Sequence, residues 1–271
     1  MEDIILIPKV IHYCWFGGKK LPENVQKCIN SWKRYCPDYT IKVWNENNFD
    51  LSCCDFVKEA YSAKEWAFVS DFARLYIVYN EGGIYLDTDV ELLNNLDSFL
   101  GDKCFLAEET NGYVNTGLGF GAEKNNPVVY DMLKEYLEEK FFLQDGSYNM
   151  EPCPRKNTMP LLKIGYEYSG RNIWENDNVT VYPPEYFCPL DYGTKKIKKT
   201  RKTVAMHLYN ASWHSKLDDV INNIQNCDRS KHPVEYKIKK LFIFPISIIN
   251  KIQRIGFFNT IRFIRNKLFK S

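Results

Sequence analysis

The stretch SDFARLYIVYNEGGIYLDTDV, residues 70–90, packs a helix, a stop and a strand into 21 residues. The helix begins earlier, and KEWAFVSDFARLYIVYN (64–80) has its apolar residues at helical spacing. Gly82 and Gly83 end it as C-terminal caps, since glycine enters the left-handed backbone region without steric cost. IYLDTDV (84–90) then alternates as a strand does. Asp71 and Arg74 are three apart and share a helix face. Tyr85, Asp87 and Asp89 fall on one side of the strand, and Ile84, Leu86 and Val90, with Thr88 between them, on the side that can face a core. One helix face and one strand end can thus present three carboxylates, a guanidinium and a phenol together.

Outward from this stretch the elements alternate. KVIHYCWFG (9–17) reads as a strand running into a Gly17-Gly18 turn. Pro22 opens a helix to about Tyr35, with Val25, Ile29 and Trp32 on one face, and Cys36-Pro37-Asp38 breaks it. TIKVWN (40–45) is a second strand, so the order strand, helix, strand predicts a βαβ unit and an α/β fold with parallel strands. A short helix is expected at 55–62, further strands at 104–108, 114–120, 179–183 and 203–209, and helices at 127–142 and 216–226. No internal repeat or low-complexity tract interrupts the chain.

The 271 residues suffice for one catalytic domain, 1–230, with an appendage, 231–271. Apolar residues are 45% of the chain, enough for a sizeable core, and the 15% aromatics suit both a core and the stacking of bases or sugars. The net charge of +2 hides an asymmetry: residues 237–271 carry nine Lys or Arg and no acid, and the remainder sets 27 basic residues against 34 acidic ones. YKIKKLFIFPISIINKIQRIGFFNTIRFIRNKLFKS (236–271) places Ile255, Phe258, Ile261, Ile264 and Leu268 at helical spacing between cations, with Pro245 as a start or kink. This predicts a basic amphipathic helix on an anionic membrane surface; a terminal helix packed on the domain is the alternative. Nucleic acid is excluded as its partner, because an apolar face has nothing to bind there.

Nine cysteines, an odd number without a CxxC pair, point to a reducing compartment. The acidic start MEDIILIPKV has an apolar run of only four residues and does not read as a secretory signal, and no run reaches the length of a spanning helix. The expected location is cytoplasmic, peripheral on the inner face of the membrane.

Two carboxylates one residue apart suit a hard divalent cation with oxygen ligands, Mn²⁺ or Mg²⁺, and such a cation neutralises a diphosphate. An isolated Asp-x-Asp also arises at solvated strand ends, so the surrounding residues decide. Trp15-Phe16-Gly17-Gly18, Asp71-Phe72-Ala73-Arg74 and Gly82-Gly83-Ile84-Tyr85-Leu86-Asp87-Thr88-Asp89 together resemble glycosyltransferase family 32, the sugar-binding-region DXD proteins. That family includes capsular polysaccharide transferases, fungal initiating mannosyltransferases and the glucosyltransferase domains of clostridial cytotoxins. The resemblance covers about residues 8–215 and implies a GT-A fold, a single α/β domain with a mostly parallel sheet.

It also implies roles. Trp15 matches the base-stacking Trp, with a core Trp as the alternative. Asp71 and Arg74 match the contacts to the donor sugar. Tyr85 matches a donor-site Tyr, or else is a core Tyr. Asp87 is expected at the ribose or on the metal through water, and Asp89 directly on the metal. In MHLYNASWHSK (206–216), His207 is a candidate third metal ligand, as in related retaining GT-A enzymes, against a core histidine. His214 is a weaker ligand candidate, Trp213 a candidate for covering the phosphates as part of a closing lid, and Ser212 a donor-binding candidate beside it. In VNTGLGFGA (114–122), Asn115 matches a family Asn near the donor sugar; a plain glycine-rich strand-turn is the alternative. Glu108 and Glu109 sit nearby in sequence and could lie on the acceptor side. The run 195–202 is a solvated basic loop or a steering patch for anions.

The expected activity is metal-dependent hexose transfer with retention, from a nucleotide-diphosphate sugar, a UDP-sugar foremost, to a glycan or lipid-linked acceptor in polysaccharide or capsule synthesis. With no assured nucleophile, front-face attack is favoured over double displacement. The alternatives are a toxin-like protein-modifying transferase and a non-catalytic nucleotide-sugar-binding scaffold at the membrane.

Overall fold

The computed structural model describes residues 5–209, apart from 169, 192, 193 and 195. The elements run β1 (Val10–Cys14), α1 (Glu23–Tyr35), β2 (Thr40–Trp44), α2 (Asp55–Ser62), α3 (Trp66–Glu81), β3 (Gly83–Tyr85), β4 (Val90–Leu92) and β5 (Cys104–Ala107). They continue with β6 (Phe120–Ala122), α4 (Pro127–Leu137), α5 (Cys153–Lys163), β7 (Trp174–Asn176), β8 (Val179–Tyr182), α6 (Pro184–Phe187) and β9 (Ala205–His207). The expected helix 216–226 and the basic segment 231–271, with the domain boundary between 230 and 231, lie outside the described residues.

Seven strands form one sheet in the order β2-β1-β3-β6-β5-β8-β7. β1 pairs in parallel with β2 and with β3, and β5 with β8. β6 opposes β3 and β5, and β7 opposes β8, so five of the seven strands share a direction. A mostly parallel α/β sheet that delivers an Asp-x-Asp at the end of a strand is the GT-A arrangement expected from the sequence. β4 and β9 make a separate two-stranded ribbon.

Strand alternation feeds two cores, one on each face. Cys14, Trp44, Tyr85, Leu106 and Phe120 point to the face covered by α2, α3, α4 and α5. Ile11, Tyr13, Ile84, Phe105 and Ala107 point to the other, against Val25, Ile29 and Trp32 of α1 and Phe187 of α6. This period of two is what fixes the register, since a slip of one residue would exchange the faces.

Three expectations need correcting. Residues 84–90 are not one strand: the sheet strand stops at Tyr85, Leu86 N makes a further bond to His12 O, and Val90 N bonds Asp87 O to close a turn. The two aspartates are therefore presented by a turn, not by alternation, because only Ile84 and Tyr85 find a parallel partner on β1. The strand expected at 114–120 is mostly irregular chain, held in part by side chains rather than by a ladder, and β6 begins at Phe120. The helix expected at 127–142 ends at Leu137. α5 was not expected, since Cys-Pro at its start and Pro160 inside it mask its helical pattern.

The Gly82-Gly83 stop is sterically enforced. Both residues have positive φ, +71° and +101°. A Cβ on Gly83 would sit 2.8 Å from His12 Nε2 and 2.9 Å from Val10 O. His12 is buried, accepts at Nδ1 from Trp44 Nε1 and so donates from Nε2 to Gly82 O. Gly83→Ala thus combines left-handed strain with overpacking and is expected to cost about 2–4 kcal/mol in urea unfolding. Gly165→Ala, with positive φ but open space around it, is expected to cost only about 1 kcal/mol. Equal costs would mean that the packing against His12 is not the reason.

Candidate active site

α3 is buried on most of its surface, and that burial includes Asp71 and Arg74. A helix that buries an ion pair among Phe68, Val69, Phe72 and Leu75 is holding charge for a purpose other than solubility. Arg74 Nη2 lies 2.9 Å from Asp71 Oδ1 and 3.0 Å from Asp87 Oδ1. The guanidinium also stands 5.2 Å from the centre of the Tyr85 ring, and the Tyr85 hydroxyl donates to Asp87 Oδ1 at 3.1 Å. One charged cluster thus joins α3 to the turn after β3.

The ribbon supplies the next residue. β4 and β9 pair Val90 with His207, and Leu208 N donates to Asp89 O at 2.9 Å. Trp32 Nε1 of α1 donates to Val90 O and holds the ribbon from the other side. The result sets His207 Nε2 3.1 Å from Asp89 Oδ1 and 3.9 Å from Asp87 Oδ2. Asp87, Asp89 and His207 each offer one ligand atom, all within 4.8 Å of one another. Two carboxylates and an imidazole converging in this way suit a divalent cation, and the nitrogen favours Mn²⁺ over Mg²⁺.

The third contributor is the chain before β6. Asn115 Oδ1 accepts from Gly117 N at 2.7 Å, and its Nδ2 donates to Glu109 Oε1 at 2.7 Å. A Cβ on Gly117 would collide with Asp87 Oδ2 and would lie 3.0 Å from Asn115 Oδ1 and 3.1 Å from Arg74 Nη1. Glycine is required there by close approach. α5 buttresses this segment: Thr158 Oγ1 accepts from Val114 N, and Asn157 Oδ1 from Thr116 N and Oγ1. Cys153, the first residue of α5, accepts from Arg74 Nη1 at 3.6 Å and donates to Asn115 Oδ1 at 3.7 Å.

Burial sets the electrostatics. It pushes Asp71 up to about 6, against the pull of Arg74 and with the help of Asp87. Burial raises Asp87 as well, Arg74 opposing and Asp89 adding to the rise. Burial works against a charge on His207, but Asp89, by charge and hydrogen bond, and then Asp87 outweigh it and hold the imidazole above its ordinary pKa.

Asp71, Arg74, Tyr85, Asp87, Asp89, Asn115 and His207 therefore come together from distant parts of the chain. Trp15 stands half-buried just after β1, where its backbone N donates to Trp44 O of β2, its Nε1 donates to Lys19 O and its ring packs on the second core. Glu108 is fully buried and accepts from the Tyr166 hydroxyl, which places it in the interior rather than on an acceptor face. Glu109 is the acid that reaches the site. Ser212, Trp213, His214 and Lys195 lie outside the described residues. Sequence reasoning missed Cys153, Asn157 and Gly117; only the density of small residues at 114–122 hinted at the last.

Comparison with known proteins follows the same stretch. Residues 22–106 match the family described as glycosyltransferase sugar-binding region containing DXD motif. The inositol phosphoceramide mannosyltransferase 1 of Schizosaccharomyces pombe is 29% identical over 77% of this chain and 62% of its own length. The mannosyl phosphorylinositol ceramide synthase SUR1 of Saccharomyces cerevisiae is 25% identical over 79% of this chain and 53% of its own. The chain thus spans between half and two thirds of these curated relatives. Among solved structures, the PaToxG glycosyltransferase superposes with a TM-score of 0.45 at 20% identity, over 59% of this chain and 69% of its own. The fold is that of an α/β protein with an acidic turn at a strand end, and the chain is similar over residues 22–106 to the glycosyltransferase sugar-binding region and over most of its length to fungal mannosyltransferases.

An acid whose folded pKa lies above its ordinary value destabilises the fold when it ionises. For Asp71 that penalty is absent below pH 3.8 and grows to full size above about 6. Asp71→Asn, fixed neutral, lacks this penalty, so its denaturant midpoint measured against wild type is expected to move in the variant's favour between pH 4 and pH 8. The same offset at both pH values would show that the carboxylate's ionisation is not the cause.

Proposed function

We propose that this protein is a metal-dependent, retaining glycosyltransferase that moves a hexose from a nucleotide-diphosphate sugar to a hydroxyl of a lipid-borne acceptor. The observation that carries this reading is the Asp87-Asp89-His207 convergence set directly against the buried Asp71-Arg74 pair. Charge-neutralising and hydroxyl-recognising groups are adjacent, as a sugar diphosphate needs them to be.

Asp89 and His207 would hold the cation, with Asp87 beside them; bound there, it would act as a Lewis acid on the diphosphate. Arg74 is a fixed fork of donors and Asp71 a fixed acceptor, which orient sugar hydroxyls and hold the anomeric carbon for attack. Tyr85 and Arg74 brace Asp87, so the turn does not relax when charge arrives. Trp15 offers a face to the base at the same edge of the sheet. No carboxylate is assigned as a nucleophile, so the acceptor hydroxyl attacks on the face the diphosphate leaves, and its proton passes to the departing phosphate oxygen. Configuration is then retained without a covalent intermediate.

The names of the two fungal relatives speak for mannose as the sugar and for an acceptor carried on a lipid. A polysaccharide built on a lipid carrier presents the same chemistry, a hydroxyl at a membrane surface. The basic amphipathic segment 236–271 fits the same picture, as an anchor on an anionic inner leaflet that places the enzyme in the cytoplasm beside its acceptor.

The test is donor hydrolysis with Mn²⁺ across UDP- and GDP-hexoses, GDP-mannose included, reading released nucleotide. One donor is expected to be cleaved, chelator is expected to abolish release, and Asp89→Asn is expected to lower it by about a hundredfold or more. No release from any donor, together with no metal-dependent binding of UDP or GDP, would leave a non-catalytic scaffold as the better reading.

A further inference from the structure

We infer that Cys153 is a sugar-positioning residue: its thiol forms one wall of the hexose subsite bounded by Asp71, Arg74 and Asn115, and it tunes which donor sugar fits. This rests on the transferase reading above and adds to it a residue from an element, α5, that carries none of the recognised motifs.

The thiol is where the sugar-facing groups meet. Arg74 Nη1 donates to Cys153 Sγ at 3.6 Å, Asn115 Oδ1 accepts from it at 3.7 Å, and Asp71 shares a hydrogen bond with it. Arg74 and Asp71 come from α3 and Asn115 from the segment before β6, so Cys153 spans the two sides of the cluster. Gly117 adds bare backbone beside the same atoms. Asp87, Asn115 and Arg74 all direct polar atoms to the point where Gly117 has no side chain.

The position of the thiol is set from behind. Lys156, almost fully buried, pairs with Glu139 and lies 3.8 Å from Glu151, while Asn157 and Thr158 bond the 114–116 backbone. The start of α5 therefore cannot slide without breaking four contacts.

Sulfur is a weak acceptor and S–H a weak donor. A single S–H faces two acceptors, the Asp71 carboxylate and Asn115 Oδ1, and satisfies one at a time. Burial raises the thiol's pKa and keeps that proton in place. The cluster is thus held in shape by bonds that a sugar hydroxyl, a better donor and a better acceptor, readily displaces. A strong partner at this position would saturate Arg74 and Asn115; no partner would let them drift. The thiol does neither, and its bulk sets the depth available to the sugar.

The experiment compares wild type, Cys153→Ala, Cys153→Ser and Cys153→Met in the donor-hydrolysis assay, alongside Mn²⁺-dependent binding of the sugar-free nucleotide diphosphate. Cys153→Ala is expected to raise KM for the best donor about fivefold to tenfold, with a smaller change in kcat, and to narrow the preference over that sugar's epimers. Nucleotide-diphosphate affinity should stay at the wild-type value. Cys153→Ser, which keeps one donor and one acceptor, is expected within about threefold of wild type. Cys153→Met is expected to lose donor-sugar turnover while still binding the nucleotide. Kinetics of Cys153→Ala indistinguishable from wild type would overturn this inference and leave the transferase reading intact. A parallel fall in donor and nucleotide affinity would also overturn it, marking Cys153 as a packing residue. A wild type that cleaves no donor and binds no nucleotide would sink both.

Discussion

Arg74 is a permanent cation with only 4% of its side chain exposed, and the site is organised around keeping it paired. A charge so far from water costs several kcal/mol unless its partners are close and well oriented. Two carboxylates meet that need, one on its own helix and one across the Gly82-Gly83 stop, while the Tyr85 ring lies against its face. The pairing works in both directions. It prevents an orphaned cation, and it fixes Asp87 at the edge of the sheet with a defined orientation. The helix-to-strand reversal must then be tight enough to bring residue 87 back beside residue 74, which is why the reversal falls on two glycines with positive φ.

Around this ion pair the structure draws on three sources with different kinds of support. α3 and β3 are held by the two cores on the faces of the sheet. The turn carrying Asp89 is held by the β4–β9 ribbon and by the Trp32 indole bound to Val90 O. The Asn115 segment has little ladder and leans on side chains of α5. Rigidity therefore grades across the site, from a ladder-backed acidic turn to a side-chain-braced wall.

The residues readable in advance were those whose spacing carries geometry. Asp71 and Arg74 at i and i+3, and Asp87 and Asp89 two apart after a glycine pair, announce a cluster in any helix-strand unit. Even there the mechanism differed, because Leu86–Asp89 leave the sheet and a turn does what alternation was expected to do. His207 was readable as a candidate through the resemblance to retaining GT-A enzymes, but only the pairing of Val90 with His207 brings it to the acidic pair. Cys153 and Gly117 had no signal of their own. A cysteine before a proline looks like a loop, and a glycine among glycines hides which one is pressed against a carboxylate. Those relations are tertiary, and single-chain periodicity cannot express them. The irregular 114–119 segment was missed for a similar reason: side-chain braces from α5 decide it, not propensity.

The β4–β9 ribbon has a consequence for how the molecule comes to be active. The seven strands of the main sheet lie between residues 10 and 182, and all of them are present before β9 begins at Ala205. His207, however, must close a loop of more than a hundred residues to reach Asp89, a contact of high sequence separation whose closure entropy the ribbon and the surrounding sheet must offset. The strand pairing that holds the acidic turn therefore also delivers the imidazole, and the two come together. The three-residue cluster is complete only where β9, the last of the described strands, has paired with β4.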